Sequence, residues 1–86
     1  MEALPEWLGN LSSLQNLDLI RCENLMYMAT VQRLTKLTIL QISNCPKLTE
    51  RCAEGTGAEW SNIAHIPLIV LKMKLFEDAI NYYGKR

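Results

Sequence analysis

The sequence returns on itself after 23 residues: Leu11, Leu14, Leu17, Leu19, Cys22 and Leu25 map without a gap onto Leu34, Leu37, Leu40, Ile42, Cys45 and Leu48. The two runs, LSSLQNLDLIRCENL and LTKLTILQISNCPKL, both satisfy L-x-x-L-x-x-L-x-[LI]-x-x-C-x-x-L. A unit this short cannot bury its own apolar face, so it must stack on a neighbour of the same shape. Each unit then touches only those beside it, and the fold grows along one axis.

Within each unit the core Leu17-x-Leu19, or Leu40-x-Ile42, has period 2, which puts both side chains on one face of a short strand. The pattern predicts strands Asn16 to Ile20 and Ile39 to Ser43, lying parallel and roughly 4.8 Å apart. Leu11, Leu14, Leu25 and their equivalents cover the inner side of that sheet. Cys22 and Cys45 follow the strands, where the chain turns and a small side chain can sit among backbone groups. They lie one strand spacing apart, within disulfide range, but burial of small thiols accounts for them and the expectation is a ladder of inert, reduced cysteines. The return segment runs from Glu23 to Arg33. At the start of the chain Leu4, Leu8 and Leu11 suit a helical turn with Pro5 at its head, and the same offset aligns Leu8 with Val31, Leu4 with Tyr27 and Asn10 with Arg33. The chain therefore reads as about two and a half units over residues 1–48. About three are needed for independent stability, so the expectation is the terminal piece of a longer array or a truncated gene product.

After Leu48 the period breaks. Residues 49–60 carry two glycines and several charges and read as a polar connection, in which Glu50, Glu54 and Glu59 are solvated. The apolar residues from Trp60 to Ile69 can then close the exposed end of the stack, making 49–69 a C-terminal cap. In the remainder, 70–86, Leu71, Leu75, Ala79 and Tyr82 stand at helical spacing with Lys72, Lys74, Glu77 and Asp78 between them. That spacing predicts an amphipathic helix from Val70 to Tyr83, ended by Gly84 and basic Lys85-Arg86. The resulting fold class is α/β: a solenoid with a short parallel sheet on its concave side, a C-terminal cap and a terminal helix.

Composition narrows the function. Nine basic and nine acidic residues cancel, so no field steers the chain to nucleic acid or an anionic membrane. Tyr82-Tyr83 beside Lys85-Arg86 is one short cluster without a wider basic face. The longest apolar run, Ile66 to Leu71, falls far short of the ~18 residues that span a bilayer. The first ten residues lack a basic n-region and an apolar h-region, and three cysteines are an odd count for a secreted scaffold. Asn10-Leu11-Ser12 matches a glycosylation acceptor with no export signal beside it. The expected compartment is the cytoplasm.

No chemistry stands out. His65 is the only histidine, so no two-His metal site forms, and Cys45 and Cys52 are not at zinc-ligand spacing. A Cys52–His65 nucleophile pair has no motif behind it. The expectation is no catalytic residue, no metal and no cofactor.

The 23-residue pattern resembles the leucine-rich repeat. More specifically, LPEWLGNLSSLQNLDLIRCENL, SNCPKLTERC and GAEWSNIAHIPLI together resemble the C-terminal end of the leucine-rich-repeat region of plant nucleotide-binding (NBS-LRR) disease-resistance proteins. In that family the last repeat runs into C-P-x-L-x-x-R-C, matched here by Cys45, Pro46, Leu48, Arg51 and Cys52. A Gly-x-x-W-x-x-I-x-H-I-P stretch follows, matched by Gly57, Trp60, Ile63, His65, Ile66 and Pro67. The likeness covers residues 3–69, and the tail 70–86 falls outside it. No G-x-x-x-x-G-K-[ST] nucleotide loop occurs, since Gly55-Thr56-Gly57 lacks the Lys. The resemblance thus implies the sensor module alone: recognition of a pathogen effector or a guarded host protein, or contact with an intramolecular switch domain, in a plant defence response.

Side chains alternating with the core leucines are the expected contacts: Asn16, Asp18 and Ile20 in the first strand, Ile39, Gln41 and Ser43 in the second, with Arg21 and Asn44 on the rim. They differ between units while the core is held, as a scaffold with changeable contacts requires. The partner is a protein, with no nucleic acid, membrane or small molecule implied. Two rivals stand beside this reading: the substrate-recognition repeats of an F-box-type ubiquitin-ligase adaptor, and a truncated product with no function of its own.

Overall fold

The structure, a computed structural model, describes residues 1–75 and 79–85, with side chains described through Lys72. It is a small α/β unit. Strands β1 (Asn16–Ile20), β2 (Ile39–Ser43), β3 (Leu68–Leu75) and β4 (Ala79–Lys85) form one sheet in the order β1-β2-β3-β4. β1, β2 and β3 run parallel, and β4 is antiparallel to β3. Two short helices, α1 (Pro46–Arg51) and α2 (Trp60–Ile63), lie on the crossover from β2 to β3. Pro46 opens α1 at a position where its missing N–H has no intrahelical partner to lose.

β1 and β2 fall on the segments that the period-2 leucines marked, and their register pairs Asn16 with Ile39 through Ile20 with Ser43. Every pair joins a residue to the one 23 positions later. The return segments keep the same offset: 3-10 turns occupy Glu6–Asn10 and Ala29–Arg33, and each ends on an equivalent bond, Leu11 N–H to Leu8 O and Leu34 N–H to Val31 O. Arg33 binds across to the first turn, donating to Asn10 Oδ1 at 3.1 Å and Glu6 O at 3.3 Å and pairing with the Glu6 carboxylate.

The core sits in the second copy of the repeat. Leu34, Leu37, Leu40 and Cys45 are buried, whereas their counterparts Leu14, Leu17 and Cys22 are half-buried and Leu11 is 43% exposed; Leu19 and Leu25 are buried like their counterparts Ile42 and Leu48. Residues of identical type and spacing differ because the second copy has a layer on each side and the first is covered on one. A fully buried leucine contributes about 1.5–3 kcal/mol, so most of the apolar stabilisation belongs to residues 25–71.

Three expectations need correction. The offset that aligned Leu4 with Tyr27 slips by one: Ala3 bridges Tyr27, Glu2 O accepts from the N–H groups of Met26 and Tyr27, and the buried partner of Leu4's layer is Met28. Tyr27 is left 43% exposed. The boundary drawn after Leu48 falls inside α1. The largest correction concerns the tail, where β3 and β4 replace the amphipathic helix from Val70 to Tyr83. Apolar residues four apart are common to periods 3.6 and 2, so Leu71 and Leu75 could not discriminate. Lys72 and Lys74 alternating with Leu71, Met73 and Leu75 are the strand signal, and β2 offers a free edge for that strand to pair. Residues 76–78 of the expected helix, and Arg86 after it, lie outside the described residues.

Candidate protein-interaction surface

Parallel pairing turns the six expected contact positions, and three more from β3, into a grid. Its rows are Asn16–Ile39–Leu68, Asp18–Gln41–Val70 and Ile20–Ser43–Lys72. Asn16, Asp18, Ile20 and Lys72 are exposed; Ile39, Gln41, Ser43 and Leu68 are half-buried; Val70 is nearly covered. All six sequence-derived positions therefore share one sheet face, and Leu68, Val70 and Lys72 were missed because β3 was read as part of a cap and a helix. Ile20 is 61% exposed, an apolar side chain beside the polar pair Asp18 and Ser43. The opposite face holds Leu19, Leu40, Ile42, Ile69 and Leu71 in the core.

The strand exits repeat as closely as the strands. Arg21 and Asn44 both have φ 56°, a left-handed conformation that lets the chain leave the sheet face and drop into the interior. Asn tolerates that region, but Arg carries a cost of about 1–2 kcal/mol that the paired layer must override. Arg21 N–H donates to Ser43 O and Asn44 N–H to Lys72 O, so each exit is tied to the next strand. Arg21 is exposed at the rim and Asn44 is half-buried.

The turn cysteines serve the backbone. Cys45 Sγ accepts from Cys22 N–H at 3.3 Å and donates toward Ser43 O and Leu19 O, while Cys22 Sγ faces Ile20 O. Burial pushes the Cys45 thiol above its ordinary range. The third cysteine, Cys52, is completely buried, and desolvation, aided by the nearby Glu59 carboxylate, pushes it up to about 12. His65 Nε2 lies 3.3 Å from Leu34 O, so the imidazole is held by the backbone of the preceding layer.

A latch that sequence reasoning missed ties the loop before α2 to residues 26–28. Glu59, expected to be solvated, is 7% exposed. Its Oε1 accepts from Met28 N–H at 2.7 Å and Asn62 Nδ2 at 2.9 Å, and its Oε2 pairs with Arg51 Nη2 at 3.3 Å. Arg51 Nε also donates to Met26 O at 3.0 Å, and its guanidinium lies 5.1 Å from the Tyr27 ring centroid. Gly57 lets this loop close, because a Cβ there would drive into the backbone of Arg51 and Ala53. Glu50 and Glu54 remain exposed, as expected. The signal was available in part: Arg51 and Gly57 belong to the motif that carried the family resemblance.

Among the described residues no cluster of metal-ligating side chains occurs, and no helix is long and apolar enough to cross a membrane. No protein-family model, curated protein or solved structure matches the chain.

Proposed function

We propose that this chain is a non-catalytic protein-interaction module, built from the last layers of a leucine-rich-repeat solenoid of the kind found in plant nucleotide-binding disease-resistance proteins. One observation carries the reading: the strand register equals the sequence offset, so that residues differing between the two units fall in rows on one sheet face while Leu19, Leu40 and Ile42 turn to the interior. A surface of this kind recognises by shape and by the mixed chemistry of its rows, here Asp18 and Gln41 flanked by Ile20, Ile39 and Leu68. Three short strands give less than the roughly 800 Å² per partner of a standard interface, so a stable complex would need contacts beyond these three strands. The partner is a cytoplasmic protein: a pathogen effector, a guarded host protein, or a receptor's own nucleotide-binding switch domain.

The test is binding to an isolated plant nucleotide-binding switch domain and to a panel of effectors, read by calorimetry. Changing Asn16, Asp18, Ile20, Ile39, Gln41 and Ser43 together to Ala is expected to weaken a bound partner at least tenfold, with the helix-side set Gln32, Lys36 and Glu50 changed to Ala as the control. A partner whose affinity follows the control set and ignores the sheet face removes the proposal.

A further inference from the structure

We propose that Cys22 and Cys45 form a reversible two-thiol site, itself oxidised to a disulfide by exchange with a small disulfide such as oxidised glutathione. Three observations combine. First, the two residues occupy equivalent places in adjoining layers: each follows a left-handed exit residue, Arg21 or Asn44, two residues beyond the paired Ile20 and Ser43. Their α-carbons are thus about one strand spacing apart, roughly 4.8 Å, inside the range of protein disulfides. Second, Cys45 Sγ already rests 3.3 Å from the backbone nitrogen of Cys22, so rotation of the two side chains is the movement required. Third, the two thiols differ in access. Cys22 is half-buried and lines an open depression with Met1, Arg21, Glu23 and Asn24, whereas Cys45 is completely sealed.

That asymmetry fixes the order of events. The Cys22 thiolate attacks one sulfur of the small disulfide and expels the other half as a thiolate, leaving a mixed disulfide at Cys22. Cys45 Sγ then attacks Cys22 Sγ and the second small sulfur leaves as a thiolate, which takes up the proton that the Cys45 thiol gives up. Two protein thiols become one disulfide, and the small disulfide becomes two thiols, so electrons and protons balance. The new bond staples the exposed first layer to the buried second one. Cys52, sealed beneath the cap, takes no part.

The folded chain is incubated in buffers of graded reduced-to-oxidised glutathione ratio, quenched with acid, alkylated and digested with trypsin. The sequence places each cysteine on its own tryptic peptide, 22–33, 37–47 and 52–72. Expected is a 22–33/37–47 cross-link with 52–72 alkylated, a thiol titre falling from three to one, and reversal by dithiothreitol. Cys22→Ser is expected to leave Cys45 reduced at every ratio, and Cys52→Ser to leave the cross-link intact. A Cys22 that stops at the mixed disulfide, a link to 52–72, or three free thiols where the urea-unfolded chain is oxidised would each overturn the proposal.

Discussion

Replacing Glu59 by Ala tests whether the latch holds the fold closed. The substitution strips the acceptor from the N–H of buried Met28, at a cost of about 1–3 kcal/mol. It also leaves the Arg51 guanidinium without its carboxylate; that side chain is 32% exposed, so water limits the loss to about 1 kcal/mol. Together the loss is about 3 kcal/mol, against the ~3–5 kcal/mol that a core of this size supplies. Glu59→Gln keeps an acceptor for Met28 N–H but turns its amide NH2 toward Arg51, losing the ion pair and its hydrogen bond at that partly exposed side chain, so about 1 kcal/mol is expected. Glu54→Ala, at an exposed site, should lie within about 0.5 kcal/mol of the parent. Urea unfolding followed by circular dichroism ranks the three variants, and hydrogen exchange at the Met28 amide reports the latch directly. If Glu59→Ala and Glu54→Ala unfold at the same midpoint, the buried carboxylate is not what closes the structure.

Three further outcomes are expected. Leu34→Ala removes a completely buried side chain and should cost about 2–5 kcal/mol, whereas Leu11→Ala, the same repeat position at 43% exposure, should cost under ~1.5 kcal/mol in the same urea assay. Gly57→Ala drives a methyl into the backbone of Arg51 and Ala53, so its melting temperature should drop clearly below that of the parent chain. Cys52 is held near 12 in the fold against about 8.5–9 in the unfolded chain, so the unfolded state loses its proton first as pH rises. Stability should be unaffected below about pH 8.5 and should then fall by about 1.4 kcal/mol per pH unit for this thiol up to its folded value, a slope that Cys52→Ala removes.

Leucine spacing carried the strands, their register and the interior of the second layer, because a strict repeat constrains every residue at once. Where the chain departs from that repeat, local pattern lost its grip. Leu71 and Leu75 satisfied two periods, and the choice between them lay with the open edge of β2, a tertiary fact. Glu59 looked like its neighbours Glu50 and Glu54 by composition, yet a loop closing at Gly57 turns it inward against the return segment before β2. The Leu4–Tyr27 alignment failed because an unbroken offset has no way to register a one-residue slip in a turn. Of the sheet face, six positions were legible from alternation and three were hidden with β3.

The Glu59–Arg51 latch takes hold of Met28 N–H and Met26 O, both main-chain atoms, and touches one side chain of that coil, the Tyr27 ring. The part of a clasp that grips peptide groups is indifferent to which amino acids supply them. Mutation at Met26 can therefore leave the closure intact, whereas Tyr27 carries a contact of its own and Met28 is fixed by the interior it fills.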